Sequence, residues 1–428
     1  MDILLLTLGS HGDVHPFVGL ALELRRRGHR PLVATNGHFE KLCRGVGLEF
    51  ASIGTEQQYR NLVDNKDLWS PSKAFKVVFG AVGESLRAAY EVVARFVQER
   101  NAPLVVASSL GLAARVARDK FEFPMVTVHI QPAVIRSLVD PPKIPGLIMP
   151  RWLPMWLKRG IMDGGDKYVL DPIVGPPVNS LRKELGLPPV KRILKDWWQS
   201  PDRVIGLFPE WFGPPASDWP PQIRLADFPL WDEPGAPGIN AELEDFLSSG
   251  EKPIAFTPGS AMVHGHEFFA SAVEACERIG RRGLLLTRFA EQLPARLPDC
   301  VKHITYAPFA ELLPRCLAVV HHGGIGSCGQ GLRAGIPQLL QPMAHDQFDN
   351  ARRLERLGVG LWLPVRQFTG KNVARALSTL LDDATYRQRA QDIARRFLGR
   401  SGLEIAADLI EELAPRPSPP PVMATVVG

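Results

Sequence analysis

This sequence predicts a two-part α/β fold, each part a parallel sheet of the doubly wound type, and three observations carry the prediction. Short apolar runs alternate with helical segments through the first third of the chain. A stretch rich in proline, glycine and acidic residues, 228–238 (FPLWDEPGAPG), then interrupts the pattern. The alternation restarts at residue 253.

Residues 3–7 read as a buried strand, 16–27 as a helix and 30–35 as a second strand, with further strands at 103–107 and 125–128. From 75 to 97, Phe75, Val78, Phe79, Val82, Leu86, Tyr90, Val93 and Val97 recur at helical spacing, and most of that stripe is expected in the core. Residues 130–165 depart from the pattern: rich in proline, apolar and aromatic side chains, they suit loops and short helices around a greasy cleft. The second half offers a strand at 253–257, a helix at 267–278 and strands at 283–286, 317–320 and 337–341. Helical segments near 371–381, 384–397 and 402–413 follow. The expected organisation is one domain over 1–227, a linker at 228–240, a second domain over 241–400, a C-terminal helix at 401–414 and a disordered proline-rich tail at 415–428.

A length of 428 residues accommodates two or three domains, each with its own core. Hydrophobic content of 45% and charged content of 22% are ordinary for a soluble globular chain. A net charge of +5 is mild, and with no aromatic-basic motif, zinc knuckle or dense basic run it gives no reason to expect nucleic-acid binding. Five scattered cysteines without a C-x-x-C pair suit reduced thiols in the cytoplasm. The opening Met1-Asp2 has no basic region before its apolar run, so no signal peptide is expected, and no long uninterrupted apolar stretch suggests a membrane span.

Residues 302–350 are the most informative. A buried strand ends at His321-His322-Gly323-Gly324 and opens a helix; a second strand ends in His345-Asp346-Gln347. Strands that deliver Gly, His, Asp and Gln to their carboxyl ends form a ligand crevice of the doubly wound type. The N–H groups after His322 would sit at a helix N-terminus, which suits a diphosphate. The glycines Gly324, Gly326 and Gly329 also satisfy G-x-G-x-x-G with Asp346 about 20 residues on, so a dinucleotide-binding oxidoreductase is the competing class. A metal site of His321, His322, His345 and Asp346 is disfavoured, because adjacent residues on a strand point to opposite faces.

Tyr306-Ala307-Pro308, His322-Gly323-Gly324, Ser327, Pro337, Pro342 and Asp346-Gln347, in this order and spacing, resemble the donor signature of the family 1 nucleotide-sugar-dependent glycosyltransferases, which have the GT-B fold of two facing Rossmann-like domains. The block 189–220 and the opening GSHGDV-x-PF look like the bacterial rhamnosyltransferases of rhamnolipid assembly and related sterol and natural-product transferases. The likeness covers residues 1–400 with gaps. It implies inverting, metal-independent transfer of a hexosyl group from a UDP- or dTDP-sugar, with no cofactor, to a hydroxyl of a hydrophobic acceptor. Such acceptors include a hydroxy-fatty acid lipid, a sterol, a polyketide or a phenol. UDP-glucose-dependent glucosylation of small aromatic aglycones is the alternative within the fold.

Residue by residue, the resemblance sets Asp13 at the position of the catalytic base, in Gly12-Asp13-Val14-His15-Pro16, with His11 as fallback. From the residues alone, Asp13 better suits the cap of a helix that begins near Val14. Tyr306 matches the aromatic that stacks on the nucleobase, or else is a core tyrosine. His322 and Ser327, with Gly324 and Gly326 in the turn, match the diphosphate site, and Gly259-Ser260 resemble a second phosphate-side loop. Asp346 and Gln347 match the pair that binds the sugar hydroxyls, or else cap a helix from about Phe348. Gln330 stands where the plant-type motif has a ribose-gripping glutamate, which leaves deoxythymidine donors open. No D-x-D occurs to chelate a metal. Phe79, His129, Trp152 and Trp156 are the expected acceptor contacts. Residues 144–161 combine tryptophans with basic residues and suit either a cleft wall or a peripheral contact with the inner membrane surface.

Overall fold

In the computed structural model, residues 1–147, 149–150, 152–233 and 238–413 are described. The tail expected at 415–428 lies outside them, as do four residues of the 228–240 linker. Among the described residues, thirteen strands form two wholly parallel sheets. The first contains β1 (Asp2–Leu6), β2 (Arg30–Thr35), β3 (Glu49–Ser52), β4 (Leu104–Ser108), β5 (Met125–His129), β6 (Arg203–Gly206) and β7 (Ile223–Leu225), in the order β3-β2-β1-β4-β5-β6-β7. The second contains β8 (Ile254–Thr257), β9 (Gly283–Leu286), β10 (Val301–Ile304), β11 (Ala318–His321), β12 (Gln338–Leu340) and β13 (Gly360–Trp362), in the order β10-β9-β8-β11-β12-β13.

Both orders reverse once, between β1 and β4 and between β8 and β11. Crossovers on the two sides of a reversal run to opposite faces, which leaves a crevice at the carboxyl ends of those strands. Ile3 to Leu6 are fully buried, as a central parallel strand covered by helices on both faces requires. Burial of large side chains such as Phe17, Phe39, Phe256 and Phe269 supplies roughly 1.5–3 kcal/mol each.

The first helix, His11–Arg26, starts five residues before the start expected at Pro16. Ser10 is its N-cap in extended backbone (φ −87°, ψ −175°), and its carbonyl accepts from the N–H groups of Asp13 and Val14. Pro16 therefore lies inside the helix, where it only forgoes one backbone bond near the start. The long helix Ala74–Glu99 buries Phe79, Val82, Leu86, Ala89, Tyr90, Val93 and Phe96. The C-terminal helix Gly402–Glu411 packs back on the N-terminal half. There Arg27 binds Asp408 (2.6 Å), Glu411 (2.9 Å) and the Glu404 carbonyl (2.9 Å), and His29 meets Glu411 at 2.7 Å. No helix among the described residues is long and apolar enough to cross a membrane.

Candidate active site

The carboxyl ends of the two sheets face one cleft of about 1220 Å³. Asp13 enters it from the turn after β1. Gly9 has φ +131°, open only to glycine in practice, and a Cβ there would fall on the Asp13 carboxylate. That carboxylate folds back onto the turn: its Oδ2 accepts from the Ser10 N–H (2.8 Å) and Ser10 Oγ (3.3 Å). Asp13 is thus the third helical residue rather than the N-cap, and its second oxygen has no such bond. Burial raises its pKa to about 6 against the opposing Ser10 bonds.

His11 and His15 stand beside it with ring centroids 5.3 Å apart. Burial lowers His11 to about 3, aided by His15 and Arg288, and lowers His15 to about 4. Both rings are therefore neutral at physiological pH, and His11 is a far weaker base than Asp13. Tyr59, buried and stacked on His38 at 4.2 Å, closes this end of the cleft.

Across the cleft, His322 follows β11 and points between two glycines. A Cβ on Gly259 would come within 2.6 Å of its ring and a Cβ on Gly324 within 2.5 Å, so only glycine at both positions admits the imidazole. Burial lowers His322 to about 3, which makes it a neutral donor. Gly324 caps the helix Ile325–Arg333, and Gly326 and Ser327 lie in its first turn with unpaired N–H groups that suit an anion. His321 turns the other way. Fully buried, it bonds Gln338 (2.9 Å) and accepts from the Gly323 N–H (3.0 Å), so it braces the turn.

Asp346 caps the helix Gln347–Leu357 and accepts from Asn350 Nδ2 at 2.6 Å; the same nitrogen donates to the Gly323 carbonyl at 2.9 Å. Burial raises Asp346 to about 7, and the charge of Asp13 adds to the rise, so the two carboxylates sense each other across the cleft. The carboxamide oxygen of Gln347 is committed to the N–H groups of Met343 (2.7 Å) and Ala344 (3.1 Å), which leaves its NH₂ for a ligand. Tyr306 is half-buried, with Arg288 5.8 Å from its ring centroid. Gln330 Nε2 donates to Asp232 at 3.4 Å. Every donor-side residue expected from the sequence, from Gly259 and Ser260 to Gln347, lines this one cleft.

The acceptor-side expectations divide. Phe79 lines the cleft with Phe75 and Val78, from the first turns of the helix Ala74–Glu99. His129 does not: wholly buried at the end of β5, it bonds Ser109 at 2.8 Å and packs on Trp198 at 5.2 Å, behind the wall. Trp152 and Trp156 do not line it either; they are 80% and 74% exposed and face solvent. Arg288, Trp69 and the linker residues Phe228, Leu230 and Trp231 line the cleft without having been singled out. Arg288 follows the carboxyl end of β9, a position the crevice rule favours. Nothing in the sequence marks Trp69.

Residues 3–137 match the glycosyltransferase family 28 N-terminal domain, and residues 285–425 match the C-terminal domain of the erythromycin biosynthesis protein CIII-like family. Over 97% of its length the chain is 30% identical to the O-mycaminosyltylonolide 6-deoxyallosyltransferase of Streptomyces fradiae, 98% of which is covered. It is 25% identical over 94% of its length to a sterol 3-beta-glucosyltransferase of Komagataella phaffii, a longer protein of which it covers 34%. The solved glycotransferase of kitacinnamycin shares the fold, with a TM-score of 0.73 at 21% identity over 97% of this chain and 99% of that one. A full-length relationship at that level, on two parallel-sheet domains that share a cleft, makes this chain a member of the GT-B glycosyltransferases.

Proposed function

We propose that the protein transfers a hexosyl group from a nucleoside diphosphate sugar to a hydroxyl of a hydrophobic acceptor, with inversion at the anomeric carbon and without a metal. The observation that carries this reading is the opposition of Asp13 to His322 and Asp346 across one cleft whose lining surface is predominantly apolar. The acceptor O–H gives its proton to Asp13 as its oxygen bonds the anomeric carbon. The bond from that carbon to the diphosphate oxygen breaks on the far face, and the nucleoside diphosphate leaves. A carboxylate of pKa about 6 is ionised at neutral pH yet basic enough to take that proton.

His322, Ser327 and the N–H groups after Gly324, with Gly259 and Ser260 opposite, hold the diphosphate and stabilise charge that develops as it leaves. Tyr306 stacks on the base, Gln330 lies at the ribose, and Asp346 and the free NH₂ of Gln347 hold the sugar. Phe75, Val78 and Phe79 support an apolar acceptor. So does a structural relative, a spinosyn rhamnosyltransferase solved with thymidine diphosphate and with spinosyn aglycone. A donor panel of UDP- and dTDP-sugars against mixed lipids, sterols, polyketides and phenols, read by mass spectrometry, tests the reading. A hexose-sized mass gain on an apolar alcohol supports it; no product from any pairing sinks it.

The reading includes a peripheral membrane contact. Among the described residues, eight of the ten exposed large hydrophobic ones, Val139, Ile144, Trp152, Met155, Trp156, Ile161, Tyr168 and Val169, fall within 31 positions, where Arg159 and Lys167 are also exposed. Ile144, Ile161 and Val169 also line the cleft, so this patch reaches its mouth.

A further inference from the structure

Residues 64–69 belong to the N-terminal half, yet the C-terminal half grips them at three places. His264 Nε2 lies 3.4 Å from the Asp64 carbonyl oxygen. The Leu68 backbone faces the His345 ring and favours its protonated form, against the burial that lowers its pKa. The Trp69 indole stands edge-on to both donor-side histidines, with ring centroids 6.5 Å from His322 and 6.0 Å from His345. His345 has φ +57°, in the left-handed region that is uncommon for non-glycine residues and that histidine enters more readily than most.

Two nitrogens at this junction have no hydrogen-bond partner among the described residues. Trp69 Nε1 is buried without an acceptor, and His322 Nδ1 is buried without a hydrogen bond. Buried indole N–H groups normally find one. The indole is donor-only, so what it lacks is an oxygen. It lies on the cleft wall beside His322 and the N-terminal turn of the helix Ile325–Arg333, where an anion fits best.

Resting on the functional reading above, we propose that Trp69 donates its indole N–H to the donor diphosphate, so that the acceptor half of the enzyme itself completes the donor site. The turn leads directly into the helix Ala74–Glu99, whose Phe75, Val78 and Phe79 wall the acceptor end of the cleft. A bound diphosphate therefore fastens the acceptor wall to the donor domain. Without it, residues 64–69 are held by the His264 and His345 contacts and by the edge-on packing of Trp69.

The test uses the full chain with UDP and dTDP as probes. Trp69→Phe keeps a ring in place and removes only the donor. Calorimetry should show about tenfold weaker binding of whichever diphosphate the wild type prefers, the size of one hydrogen bond to a charged group. Hydrogen exchange on the wild type should show amides of residues 64–69 protected when the diphosphate is added, with the protection reduced in the variant. Unchanged affinity in the variant overturns the proposal. So does a wild type whose residues 64–69 exchange equally with and without the diphosphate, a result that stands even if the variant folds poorly. A wild type that binds neither diphosphate defeats the functional reading first, and this inference with it; failure confined to Trp69→Phe leaves the function intact.

Discussion

Replacing Asp13 by asparagine should slow the enzyme and stabilise it at once. Burial lifts the folded-state pKa of Asp13 from 3.8 to about 6. Between those values the folded chain holds a proton that the unfolded chain has released. Its contribution to stability is therefore most favourable below the unfolded pKa, falls as pH rises through about 6, and stays unfavourable above it. A gap of that size corresponds to about 3 kcal/mol at neutral pH, an upper bound because the side chain is only half-buried. Asparagine removes the charge, while its carbonyl oxygen can still accept from the Ser10 N–H, so the helix start survives. The variant should melt several degrees higher at pH 7.5, with the gain vanishing near pH 4, as followed by thermal unfolding across pH. Turnover on an acceptor chosen from the mixed pool should fall about 10²–10⁴-fold. Wild-type activity should climb with pH through about 6, and the variant should lose that limb. With the Asp13 charge gone, Asp346 should also ionise at lower pH. Near-normal turnover in Asp13→Asn, or loss of activity only in His11→Ala, would refute the base assignment. A variant less stable at pH 7.5 would refute the burial argument.

Three further outcomes are expected. His322→Ala should weaken binding of the nucleoside diphosphate and of the intact nucleotide sugar alike, whereas Asp346→Ala should weaken only the intact donor; equal losses for both ligands in both variants, by calorimetry, would end that division of roles. The protein should sediment weakly with anionic vesicles, less with neutral ones and less again in high salt, and Trp152→Ala/Trp156→Ala should not sediment, since those exposed rings are the proposed insertion points; indifference to lipid charge would argue against the contact. Arg27→Ala should cost about 1–3 kcal/mol and speed hydrogen exchange over 402–411, because a partly buried guanidinium that holds Glu23, Asp408 and Glu411 would be lost; unchanged exchange there would mean the C-terminal helix is held by its apolar face alone.

The sequence by itself determined the alternation, and with it the parallel sheets, because buried strands and amphipathic helices leave local periods that neighbours do not alter. It also picked out residues that come together on one wall of the cleft. His322, Ser327, Asp346 and Gln347 sit at strand ends or helix starts, where backbone geometry follows from the chain and glycines mark the tight turns, as at Gly259, whose Cβ would strike His322. The first helix starts five residues before Pro16, which reads locally as a first helical residue, because Ser10 caps the turn with the backbone that Gly9 permits. What only the tertiary structure decided depends on long-range packing. Trp152 and Trp156 have the composition of a cleft wall yet face solvent, and His129, an expected contact, lies behind the wall on Ser109 and Trp198. Trp69 reaches the donor histidines from the other half of the molecule, and the last helix returns to Arg27 across 381 residues. Periodicity tells which face of an element is apolar. It does not tell which partner covers that face, or whether any does, because that is settled by contacts between segments far apart in the chain.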